Sequence, residues 1–437
     1  MKYSLLQNQN KKIFALLNKL IQTLNALLSV FLIIRILPDH EFALLTLFIT
    51  FDMMIFSISG GLVLQALQKY TAETEEGQTD DLISNAVWLY GLLVILPSLC
   101  IVILRSGIES ILNAEGLALL LMLLPLFIIS QWGRKIAYFV LLAREKVRDV
   151  FIVDGLAFIT KAGLVIAAVW VGMLDKALSV IIIFIISHTI GSLAGVFLLR
   201  GHVRLRFKFS PIWTRKILAF GKYTLGTTIG NMIHTRTDTL MISFFYGTSA
   251  VALYSAARRI ADFFRHFIQA ANMIVLPRAS LLSAKQDFDG VRSIYNKGLI
   301  YSAALIVPVV LPLIIIPGIV ILFAYQGRYS ESLPILQIFA LCTLISPFGT
   351  IGSSVASGIG RPQDTCAAIW FSVIVNIALN IVWIPKFGVI GAAYATLVAM
   401  IAGGTFITYF VHRQVGLSLS EKRGSIHHTL KDLIRRR

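Results

Sequence analysis

Nine basic side chains lie inside stretches apolar enough to cross a membrane: Lys19, Arg134, Lys135, Lys161, Lys222, Arg236, Arg258, Arg259 and Arg265. An ionised group at the bilayer centre costs about 2.5–3.5 kcal/mol on insertion scales. Such residues persist where they pair, reach the interface or bind something. The densest group is Arg236, Arg258, Arg259 and Arg265, accompanied only by Asp238 and Asp262. Structural ion pairs, Asp238 with Arg258 or Arg259 and Asp262 with Arg265, leave an excess of two arginines. An anion from elsewhere would match them, and the planar guanidinium fork donates to phosphate in pairs. Lys161 is near mid-span and joins this set of candidate anion ligands. Lys19 and Lys222 are close to the starts of their spans, where a long stem reaches the interface, and Arg134 and Lys135 admit the same reading. Asp52 lies in the middle of a span without a cation nearby in the chain. It either pairs with a basic residue across the fold or takes a proton or Na⁺ in energy coupling. Asp154, near a span end, reads as interfacial.

Uncharged polar residues follow helical spacing through the same segments. Asn18, Gln22, Asn25 and Ser29 fall on one helix face, and so do Thr224, Thr228, Asn231, Thr235 and Asp238. A shift of 206 positions carries the first four onto Thr224, Thr228, Asn231 and Thr235. A third stripe, Arg258, Asp262 and Arg265, continues to Gln269 and Asn272. Lipid tolerates such stripes poorly, so they are expected to face each other or a wet cavity. Asn25, Asn231, Asp238, Asp262 and Asp52 are the candidate cavity or coupling residues. The pattern is that of a two-lobed transporter with a polar interior.

These stripes belong to a chain of 437 residues that is 57% hydrophobic and 14% charged, far below the ~25% charged residues of soluble domains. The class is a polytopic all-α membrane protein. About twelve spans are expected, at 13–37, 42–66, 83–104, 116–142, 151–174 and 177–199, then 217–246, 249–276, 298–325, 333–357, 365–384 and 388–411. They form two six-helix lobes around a central cavity: 1–199, a linker at 200–216, 217–411, and a basic tail at 412–437. The first apolar run is too long for a cleavable leader, and no small-residue cleavage site follows it. Cys100, Cys342 and Cys366 all lie in apolar segments and read as buried free thiols.

The net charge of +17 is spread between spans, with no soluble stretch long enough to be a nucleic-acid domain, so anionic lipid headgroups are the expected partner. Loops on one side carry 25 Lys and Arg, and the opposite loops carry only Arg35, Arg105, Lys176, Arg328 and Lys386. The positive-inside rule then puts both termini in the cytoplasm. Six spans per half is an even number, so the halves are parallel repeats. No phosphate-binding Gly-rich loop with Lys-Ser/Thr is present, and no histidine has Cys or carboxylate partners at metal-ligand spacing. With no sizeable extramembrane catalytic segment, an enzyme, a cofactor and a metal are not expected.

Four segments resemble polysaccharide flippases: DTLMISFFYGTSAVALYSAARRI (238–260), GRYSESLPILQIFALCTL (327–344), ASGIGRPQDT (356–365) and LNIVWIPKFGVIGAAYAT (379–396). The last is similar to a pattern of the O-antigen and capsule flippases in the multidrug/oligosaccharidyl-lipid/polysaccharide exporter superfamily. Gly388, Gly391, Ala392, Ala393 and Ala395 there have a packing role, because small residues let helices approach closely. The resemblance implies a bacterial inner-membrane protein in which two lobes enclose a cationic cavity. An undecaprenyl-pyrophosphate-linked oligosaccharide would pass through it from the cytoplasmic to the periplasmic leaflet, in company with polysaccharide polymerase machinery. Arg236, Arg258, Arg259, Arg265 and Lys161 become candidate pyrophosphate partners, and the polar stripes a route for sugar hydroxyls. A multidrug or small-molecule antiporter of the same superfamily is the alternative, though cationic drugs would want an acidic cavity. A lipid II flippase would usually carry two further spans. A scaffold of a glycan-assembly complex would not need buried polar stripes.

Overall fold

A computed structural model describes residues 2–74, 79–200 and 210–415, with side chains outside 2–12, 15, 29–30, 223, 264–274 and 309. Residues 201–209 of the expected linker (200–216) and 416–437 of the expected tail (412–437) lie outside the described residues, as do the side chains of Ser29, Arg265, Gln269 and Asn272.

Helices account for nearly all of the described chain, and each of the twelve expected spans falls on helical residues. The first is α1 (Lys2–Leu28), prolonged by a π-helical segment, Ser29–Ile34. Next come α2 (Asp39–Ser59), a second π segment (Gly60–Leu64) and α3 (Gln65–Glu73). They are followed by α4 (Thr79–Ile111), α5 (Leu117–Leu121), α6 (Leu124–Ala143), α7 (Val147–Val171) and α8 (Ala177–Arg200). The longest, α9 (Pro211–Ala284), is broken at Gly247, whose φ of 72° and ψ of −165° suit a residue without a Cβ. Spans seven and eight are the two sides of that break. After it come α10 (Phe288–Ile315), α11 (Pro317–Tyr325), α12 (Leu333–Gly358), α13 (Pro362–Phe387) and α14 (Val389–Val415). Among the described residues, ten helices are individually long and apolar enough to cross a membrane. Large apolar side chains such as Ile103, Trp170 and Phe197 are exposed on them, as lipid-facing positions require.

Contacts divide the chain into two compact units. One comprises Met1–Ser255 with Ala324–Gln326, the other Ala256–Phe323 with Gly327–Arg437. In the first unit α6, α7 and α8 pack against each other, and α1 lies on α7. Small residues permit this approach. Gly191 and Gly195 are one turn apart on α8, and a Cβ on Gly195 would stand 2.7 Å from that of Ala137. Span seven joins this unit through its threonines: Thr224 Oγ1 donates to the Gly61 carbonyl, and Thr228 packs on Gly61. The helix end is pinned to the α4–α5 turn, where Ser243 Oγ donates to Leu112 O at 2.6 Å and Asn113 Nδ2 to Phe244 O at 2.9 Å. In the second unit α14 packs on α12 and α13, and α10 on α12. Its core joins Val275, Tyr295, Ile351, Val355 and Ile407.

Candidate functional site

Four helices of the first unit bring their polar residues to one cavity of about 200 Å³. From α1 come Gln22 and Asn25, from α6 Arg134, from α7 Asp154 and Lys161, and from α8 Ser187 and His188. The α1 contribution is the polar face legible in the sequence. Along α7, Asp154 and Lys161 are seven residues apart, two turns on one face.

Lys161 is only 8% exposed. Its Nζ donates to Asn25 Oδ1 at 2.9 Å and stands 4.1 Å from the centroid of the Phe184 ring. Arg134 and Asp154 form an ion pair, Nη1 to Oδ1 3.7 Å, and the Asn18 side chain also hydrogen-bonds the Asp154 carboxylate. Arg134 is held by its backbone as well as its charge. Ser192 Oγ accepts from Arg134 N at 3.0 Å and donates to Ser130 O at 2.6 Å, stitching α8 to α6. Gly191 leaves the room that the Arg134 stem occupies, since a Cβ there would sit 3.0 Å from Arg134 Cδ. His188, also 8% exposed, packs edge-on to Phe127 with ring centroids 5.5 Å apart. Its Nδ1 has no hydrogen-bond partner among the described residues.

Beside the cavity, Gln131 Nε2 donates to Asp52 Oδ1 at 2.6 Å. Lys135, Arg134 and Arg236 all act electrostatically on that carboxylate, so the fold supplies the cations that Asp52 lacks along its own span. Lys135 Nζ lies 3.7 Å from the centroid of the Phe56 ring, and the Arg236 guanidinium meets the Met53 sulfur. Arg134 and Lys135 are therefore engaged inside the helix packing, and Asp154 with them. Among the ionisable residues singled out in this unit's spans, Arg134, Lys135, Lys161 and Arg236 stand against Asp52, Asp154 and Asp238.

The remaining sequence candidates are divided between the two units. Asp238 is fully buried and accepts from the Tyr254 hydroxyl at 2.6 Å. In the second unit Arg258 Nε lies 3.7 Å from Asp262 Oδ2, with its guanidinium 5.9 Å from the centroid of the Phe339 ring. Asp262 is thus paired one turn back along its own helix. Arg259 is half-buried on the adjacent face, and Asn231 is exposed. Of the threonine stripe, Thr228 Oγ1 donates to Thr224 O at 2.7 Å and Thr235 Oγ1 to Asn231 O at 2.8 Å. These hydroxyls are satisfied on their own helix, as in lipid-embedded helices generally.

A family model described as "Polysaccharide biosynthesis protein" matches residues 32–334. The chain belongs to that family. The match spans every cavity residue except those on α1. One relative of this polysaccharide biosynthesis protein is "Probable flippase AglR" of Haloferax volcanii, 28% identical over 190 residues, 43% of this chain and 40% of that one. The chain spans about two-fifths of the length of the first curated relatives it matches. Two solved structures share the fold with a TM-score of 0.73. "Lipid II flippase MurJ, inward closed conformation" is 18% identical, with 92% of this chain and 87% of that one aligned. An "inward-facing conformation of a multidrug resistance MATE family transporter of the MOP superfamily" is 13% identical, with 91% and 94% aligned.

The sequence did not single out Arg134, Asp154 and His188 as cavity residues. The available signal was that each is an ionisable residue within a span, which by itself marks a functional candidate.

Proposed function

We propose that this polysaccharide biosynthesis protein is a flippase that moves a lipid-linked oligosaccharide across the membrane by alternating access. The reading rests above all on Lys161, a buried ammonium held by Asn25 on the wall of a polar cavity that is also lined by Arg134 and His188. The cations match a pyrophosphate, and the amides of Gln22 and Asn25 match sugar hydroxyls. The lipid tails need not enter the cavity, because they can stay in the bilayer while the polar head crosses. In a bacterial membrane the carrier would be undecaprenyl pyrophosphate, moving from the cytoplasmic to the periplasmic leaflet ahead of polymerisation. Relatives include archaeal proteins, so the carrier follows the host lipid. Arg236, Arg258, Arg259 and Arg265 are proposed as further contacts for the pyrophosphate, with the carboxylates of Asp52, Asp238 and Asp262 offsetting part of their charge and the Asn231 amide offered to sugar hydroxyls. Export of cationic drugs fits less well, since Arg134 and Lys161 outnumber Asp154 at the cavity.

Reconstitution tests this reading. Proteoliposomes carrying the full chain and a fluorescent undecaprenyl-pyrophosphate oligosaccharide should expose the glycan to an external lectin much faster than protein-free vesicles. Uptake of a cationic dye without any glycan movement would assign the protein to the antiporters instead.

A further inference from the structure

A second pocket, of about 420 Å³, lies in the other unit, at the hairpin between α9 and α10. One wall is Arg278, Leu281, Leu282 and Lys285 at the end of α9. These positions follow i, i+3, i+4, i+7 and form a single helix face. The facing wall is Gly290, Ser293, Ile294 and Lys297 at the start of α10, and it repeats the same spacing. Gly290 is what allows the walls to meet, since a Cβ there would stand 2.8 Å from Leu282 Cδ2. The hairpin is anchored in the unit's core through Val275, Ala279, Val291 and Tyr295, and Leu282 and Ile294 pack against the same core at the pocket's base. The concavity is therefore built into the fold.

Its chemistry is divided. Arg278, Lys285 and Lys297 supply three exposed cations, and among the described residues none of their side chains has an ion pair or hydrogen bond. The nearest acid in the turn, Asp287, caps α10, its Oδ1 accepting from Gly290 N at 2.8 Å. Leu281, Leu282 and Ile294 give the same pocket an apolar wall. Free inorganic phosphate or nucleotide would make no use of that wall. A lipid whose headgroup carries phosphate uses both halves. All three cations belong to the loop set with the heavier basic charge, the side that attracts anionic leaflets.

We propose that this hairpin pocket binds the phosphate-bearing headgroup of a membrane lipid, with the start of its acyl or isoprenyl chain against Leu281, Leu282 and Ile294. It lies outside the cavity described above and does not depend on the transport reading. Purified full-length protein is compared with Lys285→Gln/Lys297→Gln, two exposed positions whose change leaves the core untouched. Lipid retention is followed by native mass spectrometry during titration with phosphatidylglycerol or phosphatidylcholine. The expected result is selective retention of phosphatidylglycerol by the wild type, weakened about 30-fold in the variant, roughly fivefold per lysine. Displacement of phosphatidylglycerol by lower concentrations of a polyisoprenyl pyrophosphate would assign the pocket to the carrier lipid, and failure to displace it would assign the pocket to bulk anionic lipid. Equal retention of phosphatidylglycerol by both proteins, or equal retention of phosphatidylcholine by the wild type, would overturn the proposal.

Discussion

Replacing Lys161 with methionine separates binding from folding, because the change removes the charge and keeps an unbranched side chain only one atom shorter. Three effects on stability oppose one another. The ammonium's interaction with the Phe184 ring at 4.1 Å is lost, at about 1–2 kcal/mol. Asn25 loses its donor, which costs about 1 kcal/mol if water in the cavity replaces it. Against this, a cation that is only 8% exposed no longer has to be desolvated, and such replacements by apolar residues range from neutral to about 1–4 kcal/mol stabilising. The net change is within about 2 kcal/mol of zero, and methionine adapts readily to the space left. Transport behaves differently. A charged hydrogen bond from Lys161 to a pyrophosphate is worth about 1.5–3 kcal/mol, so glycan flipping should fall roughly 10- to 150-fold. Membrane abundance by immunoblot and flipping rate in proteoliposomes are measured together, with Lys161→Arg expected to recover part of the rate. Asp154→Asn is the contrasting control. It strands Arg134, whose side chain is 26% exposed, so the loss should approach but not reach the 3–5 kcal/mol typical of fully buried pairs and should appear as reduced abundance. Abundant Lys161→Met protein that flips glycan at the wild-type rate would refute the role given to this lysine, and a collapse in its abundance would make the lysine structural.

Two further outcomes follow from the packing and the charge distribution. Gly191→Leu should destabilise the first unit by about 1–3 kcal/mol in detergent thermal unfolding, because its Cβ would meet the Ala157 Cβ at 2.9 Å and Arg134 Cδ at 3.0 Å. Gly107→Leu, with nothing within 4 Å, should leave the melting temperature unchanged or slightly raised, and equal losses at the two sites would discredit the close-approach argument. With Cys100, Cys342 and Cys366 replaced, Ser210→Cys should resist an impermeant thiol reagent in intact cells and react after permeabilisation. Ready labelling from outside would reverse the proposed orientation of the chain.

The spans were legible in the sequence because they are a local property. About 20 apolar residues must satisfy their own backbone hydrogen bonds in lipid, and only a helix does so within one segment. Even the break near Gly247, which separates spans seven and eight, is written in a short turn. The similarity of 238–260 and 379–396 to polysaccharide flippases likewise pointed to the family that the match over 32–334 establishes. The polar face of α1 was visible as spacing, and Asn25 and Gln22 do line the cavity.

Which charges share a site could not be read along the chain. Arg258 and Asp262 are one turn apart, and their pairing is local. Asn25 and Lys161, by contrast, are separated by 136 residues, and Asp52 and Gln131 by 79. Arg134 and Lys135 fit an interfacial role by position alone, and only the packing of α6 against α2, α7 and α8 turns them inward to Asp154 and Asp52. The threonines of span seven show the converse. Their spacing put them on one helix face, and the structure uses that face in packing: it gives Thr224 to Gly61 and turns Thr228 and Thr235 back onto their own helix. The sequence alone determined that polar and charged groups are buried in a membrane protein and that basic ones predominate, because insertion cost depends on residue type and depth. Tertiary structure decided which of them meet, because helical spacing gives each residue its face but not the helix that the face packs against.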